Sequence, residues 1–110
     1  MRRIGREVVE HYTPGPEQFG QKRKPRLVET YKGCWIEFDR TDEGAGERSN
    51  VATTLVGIWI PQDVTVHDAD DYFIWKRYPE ERYGAAGRIG RYVTRQGRLR
   101  ACYIPVEEVV

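Results

Sequence analysis

Long apolar runs are missing from this 110-residue chain. Nothing approaches the ~20 consecutive apolar residues of a membrane-spanning helix, and the stretch MRRIGREVV lacks the apolar core of a secretory signal. No membrane partner is expected, and synthesis in the cytosol is. Cysteine is scarce: there is no CxxC, and no histidine stands beside Cys34 or Cys102, so nothing points to zinc. Each thiol falls in a strand-like segment, where an isolated cysteine behaves as a small buried hydrophobe. A disulfide between them would require their strands to pair, and a reducing compartment disfavours it.

Reaction motifs are also absent. There is no P-loop, GxSxG, HExxH or dinucleotide fingerprint, and the glycine-rich GAAGRIG from Gly84 leads into a strand pattern where a phosphate loop would lead into a helix. Asp63, Asp68, Asp70 and Asp71 offer carboxylates, but without the spacing of a calcium loop. His67 stands beside Asp68 with no nucleophile for it to orient, and reads as a turn histidine. The chain is therefore not expected to be an enzyme, and no cofactor or metal is expected.

What the sequence does have is β-type residues. Asn50 to Ile74 runs through a β-branched and aromatic stretch, a break at Pro61, an acidic turn around His67 to Asp71, and a second aromatic stretch. Strands are expected at Leu27–Phe38, Val51–Ile60 and Tyr72–Arg77, with a terminal hairpin of 88–94 and 98–104 about the turn Arg95-Gln96-Gly97. Val28, Thr30, Cys34, Ile36 and Phe38 are expected on one face of the first of these, with a bulge at Gly33. In the second, Val56, Ile58 and Ile60 share one face and Leu55 and Trp59 the other. With both faces apolar at its end, that strand must be covered outside as well as inside, which marks Trp59 as a contact with an arm or a partner. The segment 79–90 reads as a flexible connection.

The expected fold is all-β: a small β-barrel or sandwich spanning residues 27–110, preceded by an extended N-terminal arm at 1–26 rich in proline, glycine and base. A compact chain of this size would have a radius of gyration of about 13 Å. Residues 39–49 form a polar loop, long for a hairpin, and Asp42, Glu43, Gly44, Gly46 and Glu47 are its candidates for facing a channel or a neighbour.

A formal net charge of +1 hides strong banding. Residues 1–26 have seven basic against three acidic side chains, 39–49 two against four, 62–82 three against six, and 83–106 five arginines and no acid. Such banding suits contact between subunits, with Lys22, Arg23, Lys24 and Arg26 in the arm and Arg98 and Arg100 in the last hairpin as candidate interface residues. It equally suits a small barrel that holds nucleic acid through Arg88, Arg91, Arg95, Arg98 and Arg100 with Tyr92 and Tyr103, although a pI near 7.8 is low for a dedicated binder.

Gly33-Cys34, the segment VATTLVGIWIPQDV at 51–64 and HDADDYFIW at 67–75 resemble the head-to-tail connector proteins of long-tailed bacteriophages, the stopper or head-completion family. The likeness covers roughly residues 27–76. It implies a β-barrel protomer that assembles as a homo-oligomeric ring between the portal/adaptor complex and the tail proteins. That ring would retain packaged double-stranded DNA, touch it in passing and present the tail's attachment surface. The location implied is the virion, reached from the host cytoplasm.

Overall fold

In the computed structural model the described residues are 2–15, 24–43 and 50–109, with the backbone alone for Arg2, 40–43 and 50–53. They form seven strands and no helix: β1 Arg2–Thr13, β2 Arg26–Glu43, β3 Asn50–Ile60, β4 Tyr72–Trp75, β5 Arg82–Ala85, β6 Gly90–Val93 and β7 Leu99–Val109. All pairings are antiparallel. The order β3-β2-β1-β4-β5-β7 closes on itself because β7 also pairs with β3, from Gly57 opposite Pro105 to Ile60 opposite Cys102. The fold is thus a closed β-barrel of six strands, with β6 added outside the ring along β7.

Alternation fills the interior. Val9, Cys34, Ile36, Ile58, Ile60, Phe73, Cys102 and Ile104 are all fully buried, and each apolar side chain taken from water in this way contributes roughly 1.5–3 kcal/mol. Register shifts reset the pattern, and two of them involve β2. At Lys32 and Gly33 the register between β1 and β2 shifts, and Gly33 takes a φ of 70°, so Tyr31 turns inward below the bulge where Val28 and Thr30 were expected. Between Glu37 and Phe38 the β2–β3 register slips by a residue on β3, which buries Leu55 in place of Val56.

Three expectations need correction. Residues 2–13 belong to the barrel wall, paired with β2 on one side and β4 on the other, so no arm spans 1–26. The basic stretch is the connection between β1 and β2, and its two ends meet where Gly15 runs against the carbonyl of Lys24 with no room for a side chain. Residues 39–43 are not loop: they continue β2 in register with β3, from Asp39 opposite Thr54 to Glu43 opposite Asn50. Finally, 82–85 is a strand, held by β4 on one edge and β7 on the other.

The barrel pairing of β1 ends at Arg2 opposite Phe38, and that of β7 with β3 at Pro105 opposite Gly57. Beyond those limits, among the described residues, β2 and β3 pair only with each other. Five residue pairs therefore form a two-stranded ribbon that overshoots the barrel by about 17 Å at the usual strand rise. The radius of gyration is 16.0 Å, above the ~13 Å of a rounded chain of this length, with extents of 54 × 47 × 21 Å.

Candidate functional site

Two polar constellations stand apart. The first is internal. His11 on β1 is fully buried, with Nδ1 3.0 Å from the Tyr31 hydroxyl and Nε2 2.9 Å from Asp71 Oδ2. A carboxylate can only accept, so Nε2–H donates to Asp71 and the Tyr31 hydroxyl donates to Nδ1. The His67 amide also donates to Asp71 Oδ2, at 2.8 Å, and Phe73 stacks on the His11 ring with centroids 4.5 Å apart.

Burial lowers the His11 pKa, against the pull of Asp71, and keeps the ring neutral. Burial would raise the Asp71 carboxyl, but the Thr13 hydroxyl, the His67 amide and His11 outweigh it and hold it below the ordinary value. Tyr31 is pushed up to about 12, chiefly by burial. The order tyrosine, histidine, aspartate resembles a proton relay, yet its tyrosine end is buried and already spent on the imidazole. As it stands, the chain of groups ties β1, β2 and the segment before β4 together.

The acidic cluster is divided by the fold. Asp71 goes inside, Asp68 Oδ1 accepts from the Asp70 amide in a tight turn, and exposed Asp63 pairs with Arg91 at 2.9 Å. No group of three metal-ligating side chains gathers among the described residues. Cys34 and Cys102 are buried and free, lying on β2 and β7 on opposite sides of β3. Two strand spacings, ~9–10 Å, separate their strands, too far for a disulfide. Burial pushes the Cys34 thiol up to about 12, which leaves it inert.

The second constellation faces out. Trp35 on β2, Trp59 on β3, Tyr103 on β7 and Tyr92 on β6 form a band of rings across the outer wall, with Trp59 4.7 Å from Tyr103 and 4.9 Å from Tyr92 between centroids. Two glycines make the band possible. Trp35 lies over Gly5, where a Cβ would come within 2.8 Å of its ring, and Tyr103 lies across Gly57, where a Cβ would land in the ring itself.

Glu37, almost buried, accepts from the Trp59 indole N–H at 2.8 Å, and Arg3 sits 5.1 Å above the Trp59 ring. Arg3, Trp35, Trp59, Tyr92, Arg100 and Ala101 line an open groove of about 500 Å³. Trp35 and Tyr92 are 49% and 50% exposed, an unusual state for rings of that size. A like arrangement on the far side, Glu7 with Trp75 and Arg77, is closed: Glu7 accepts from the Trp75 indole at 3.0 Å and from both arms of the Arg77 fork.

The structure thus brings Trp59 and Arg100 together, with Tyr92 and Tyr103 beside them. Arg98 is exposed in the turn next to this band, and Lys24 and Arg26 are exposed at the foot of β2, away from it. Arg91 does not join the band, because its side chain is committed to Asp63 and the Val64 carbonyl. Lys22, Arg23, Gly44, Gly46 and Glu47 lie outside the described residues, and Asp42 and Glu43 are placed by backbone on the ribbon. Sequence reasoning missed Trp35, which alternation with Cys34 and Ile36 could have put on the outer face, and Arg3, which the broken alternation of β1 hides. No family model, curated protein or solved structure matches the chain.

Proposed function

We propose that the chain is a structural subunit of a virion: a head-to-tail joining protein that assembles as a ring, retains packaged DNA and presents a surface to the tail. The observation that carries this reading is the ribbon at 39–43 and 50–54. A two-stranded ribbon is marginal in water, so one that projects from a closed barrel with no third strand among the described residues suits gripping something outside it. The resemblance of the Gly33-Cys34, 51–64 and 67–75 motifs supports that setting. Native mass spectrometry with a portal-side complex tests it: many copies joining each complex are expected, and a chain that ignores the complex overturns the reading.

A second reading, a small barrel that binds single-stranded nucleic acid, is favoured by Trp35 and Tyr92, half-exposed rings beside Arg3 and Arg100. Its mark is oligonucleotide affinity that falls steeply with salt and is lost in Trp35→Ala.

A further inference from the structure

Three features that the barrel itself does not require lie on one molecule. The first is open strand edges at two sites. β6 pairs with β7 alone, so the other edge of Gly90–Val93 presents unpaired backbone, while β2 at 39–43 and β3 at 50–54 each have an outer edge with no strand beside it among the described residues. Four residues of open edge on one site and five on the other are well matched in length. Unprotected edges of this kind are templates for pairing with another chain.

The second is the groove between Trp35, Trp59 and Tyr92, next to β6 through Tyr92. The third is charge. Segment 39–49 carries four acidic against two basic side chains, while 88–100 carries five arginines and no acid. Of those five, Arg91 is engaged by Asp63, and Arg88, Arg95, Arg98 and Arg100 are exposed with no ion pair to a described residue.

We propose that the β2–β3 ribbon of one copy lays an open edge along β6 of the next copy, across the groove between Trp35, Trp59 and Tyr92, as a head-to-tail contact that closes into a ring. The proposal rests on the joining-protein reading and names the surfaces that reading needs. Donor and acceptor are different parts of the chain, so the contact is heterologous, of the kind that forms a ring when its rotation closes. The ~17 Å overshoot gives the ribbon its reach. A backbone edge selects a strand over a nucleic acid, because its alternating N–H and C=O groups are matched by another strand's. Each exposed ion pair adds only ~0–1 kcal/mol, so the contact is weak singly and gains by repetition.

Complementary charge reversal is the test. Arg98→Glu/Arg100→Glu makes an acidic face beside an acidic ribbon, and Asp42→Lys/Glu43→Lys makes a basic ribbon beside a basic face. Self-association of the full chain is followed by sedimentation velocity up to millimolar concentration, with thermal unfolding as a check that each variant is folded. Each variant alone is expected to lose about tenfold or more in association constant, equivalent to ~1.4 kcal/mol. An equimolar mixture is expected to recover it, since each ribbon then meets a face of opposite sign.

Two folded variants that associate as the wild type does, or that fail to rescue one another, overturn this contact while leaving the joining role to binding of the portal-side complex. A wild-type chain that stays monomeric throughout also overturns it. Salt-steep oligonucleotide binding lost in Arg98→Glu/Arg100→Glu, with self-association unmoved, would assign the face to nucleic acid instead.

Discussion

The His11 cluster inside the barrel and the aromatic band outside it are built from similar side chains and end in opposite states. Inside, His11 is saturated: Tyr31 and Asp71 take both of its ring nitrogens, and Phe73 covers its face. Outside, Trp59 is held by Glu37, Arg3, Tyr92 and Tyr103, but Trp35 and Tyr92 keep half their surface in water and Arg100 has no ion partner among the described residues. A polar group inside has only the fold to satisfy it, because an orphaned one costs more than a made bond returns, and Asp71 Oδ1 is the one buried polar side-chain atom among the described residues without a hydrogen-bond partner. Apolar area outside that the fold does not cover is the place to look for a partner. The first region is therefore expected to govern stability, and the second is the surface we propose for recognition.

The sharpest way to break that division is His11→Ala. It opens a cavity in the barrel and leaves buried Asp71 with one donor fewer, and a loss of roughly 3–5 kcal/mol in urea unfolding is expected. The double change His11→Leu/Asp71→Leu should cost less than the sum of the single changes, because it removes both ends of the interaction together. Additive losses would show that the pair is not a unit.

Gly57→Ala comes next. Its Cβ would occupy the Tyr103 ring, so the tyrosine must swing off the sheet and Trp59 loses a neighbour. A cost of about 1–3 kcal/mol is expected, with a change in tryptophan emission that His11→Ala does not produce. Unchanged emission would mean that the band tolerates the loss.

The pH dependence should divide in the same way. His11 has its folded pKa below the ordinary 6.5, so the unfolded chain takes up the proton first. The stability from keeping this ring neutral is complete above about pH 6.5 and is lost progressively as pH falls toward the folded pKa. Asp71 is also lowered, so its contribution is present above its ordinary 3.8 and is lost on further acidification, as pH falls through the folded pKa. Urea midpoints that decline from pH 7.5 to 5.5 in the wild type and stay flatter in His11→Leu/Asp71→Leu are expected. Equal slopes would place the titrating group elsewhere.

How far the sequence showed these regions follows from the kind of signal each leaves. β3 was legible because its apolar residues run together, and Trp59 because it stood on the wrong face of a buried strand. β1 was not: a bulge around Arg6, with φ at 62°, breaks its alternation, so REVVEHY shows no clean period. β5 is four residues with a glycine, and it owes its state to strands on both edges. The ribbon was hidden because Asp39 to Glu43 are polar, and a strand with no core to face has no reason to alternate. The His11–Asp71 pair spans 60 residues, and Asp71 stood among three other acids that stayed at the surface. Long-range pairing of single polar residues leaves no periodic trace.

The smallest expected effect on stability is the one that best separates the two regions. Arg3 and Arg77 are alike on paper: each crosses a tryptophan ring, each faces a nearly buried glutamate, and they are 57% and 54% exposed. Arg77 holds Glu7 with both arms of its fork, at 2.8 and 3.1 Å, whereas Arg3 reaches Glu37 only at 3.9 Å, too long for a hydrogen bond. Solvent screens both pairs, so Arg77→Ala should cost about 1 kcal/mol and Arg3→Ala only a few tenths. Glu37 loses little in the second case because the Trp59 indole still donates to it. Of the two, Arg3 has the looser ties within the subunit, and it stands at the rim of the groove proposed for the neighbouring ribbon. Arg3→Ala should therefore leave the urea midpoint within error and weaken self-association by several-fold, about 1 kcal/mol for one rim charge. A stability loss as large as that of Arg77→Ala, with association intact, would show that Arg3 serves the barrel and not the contact.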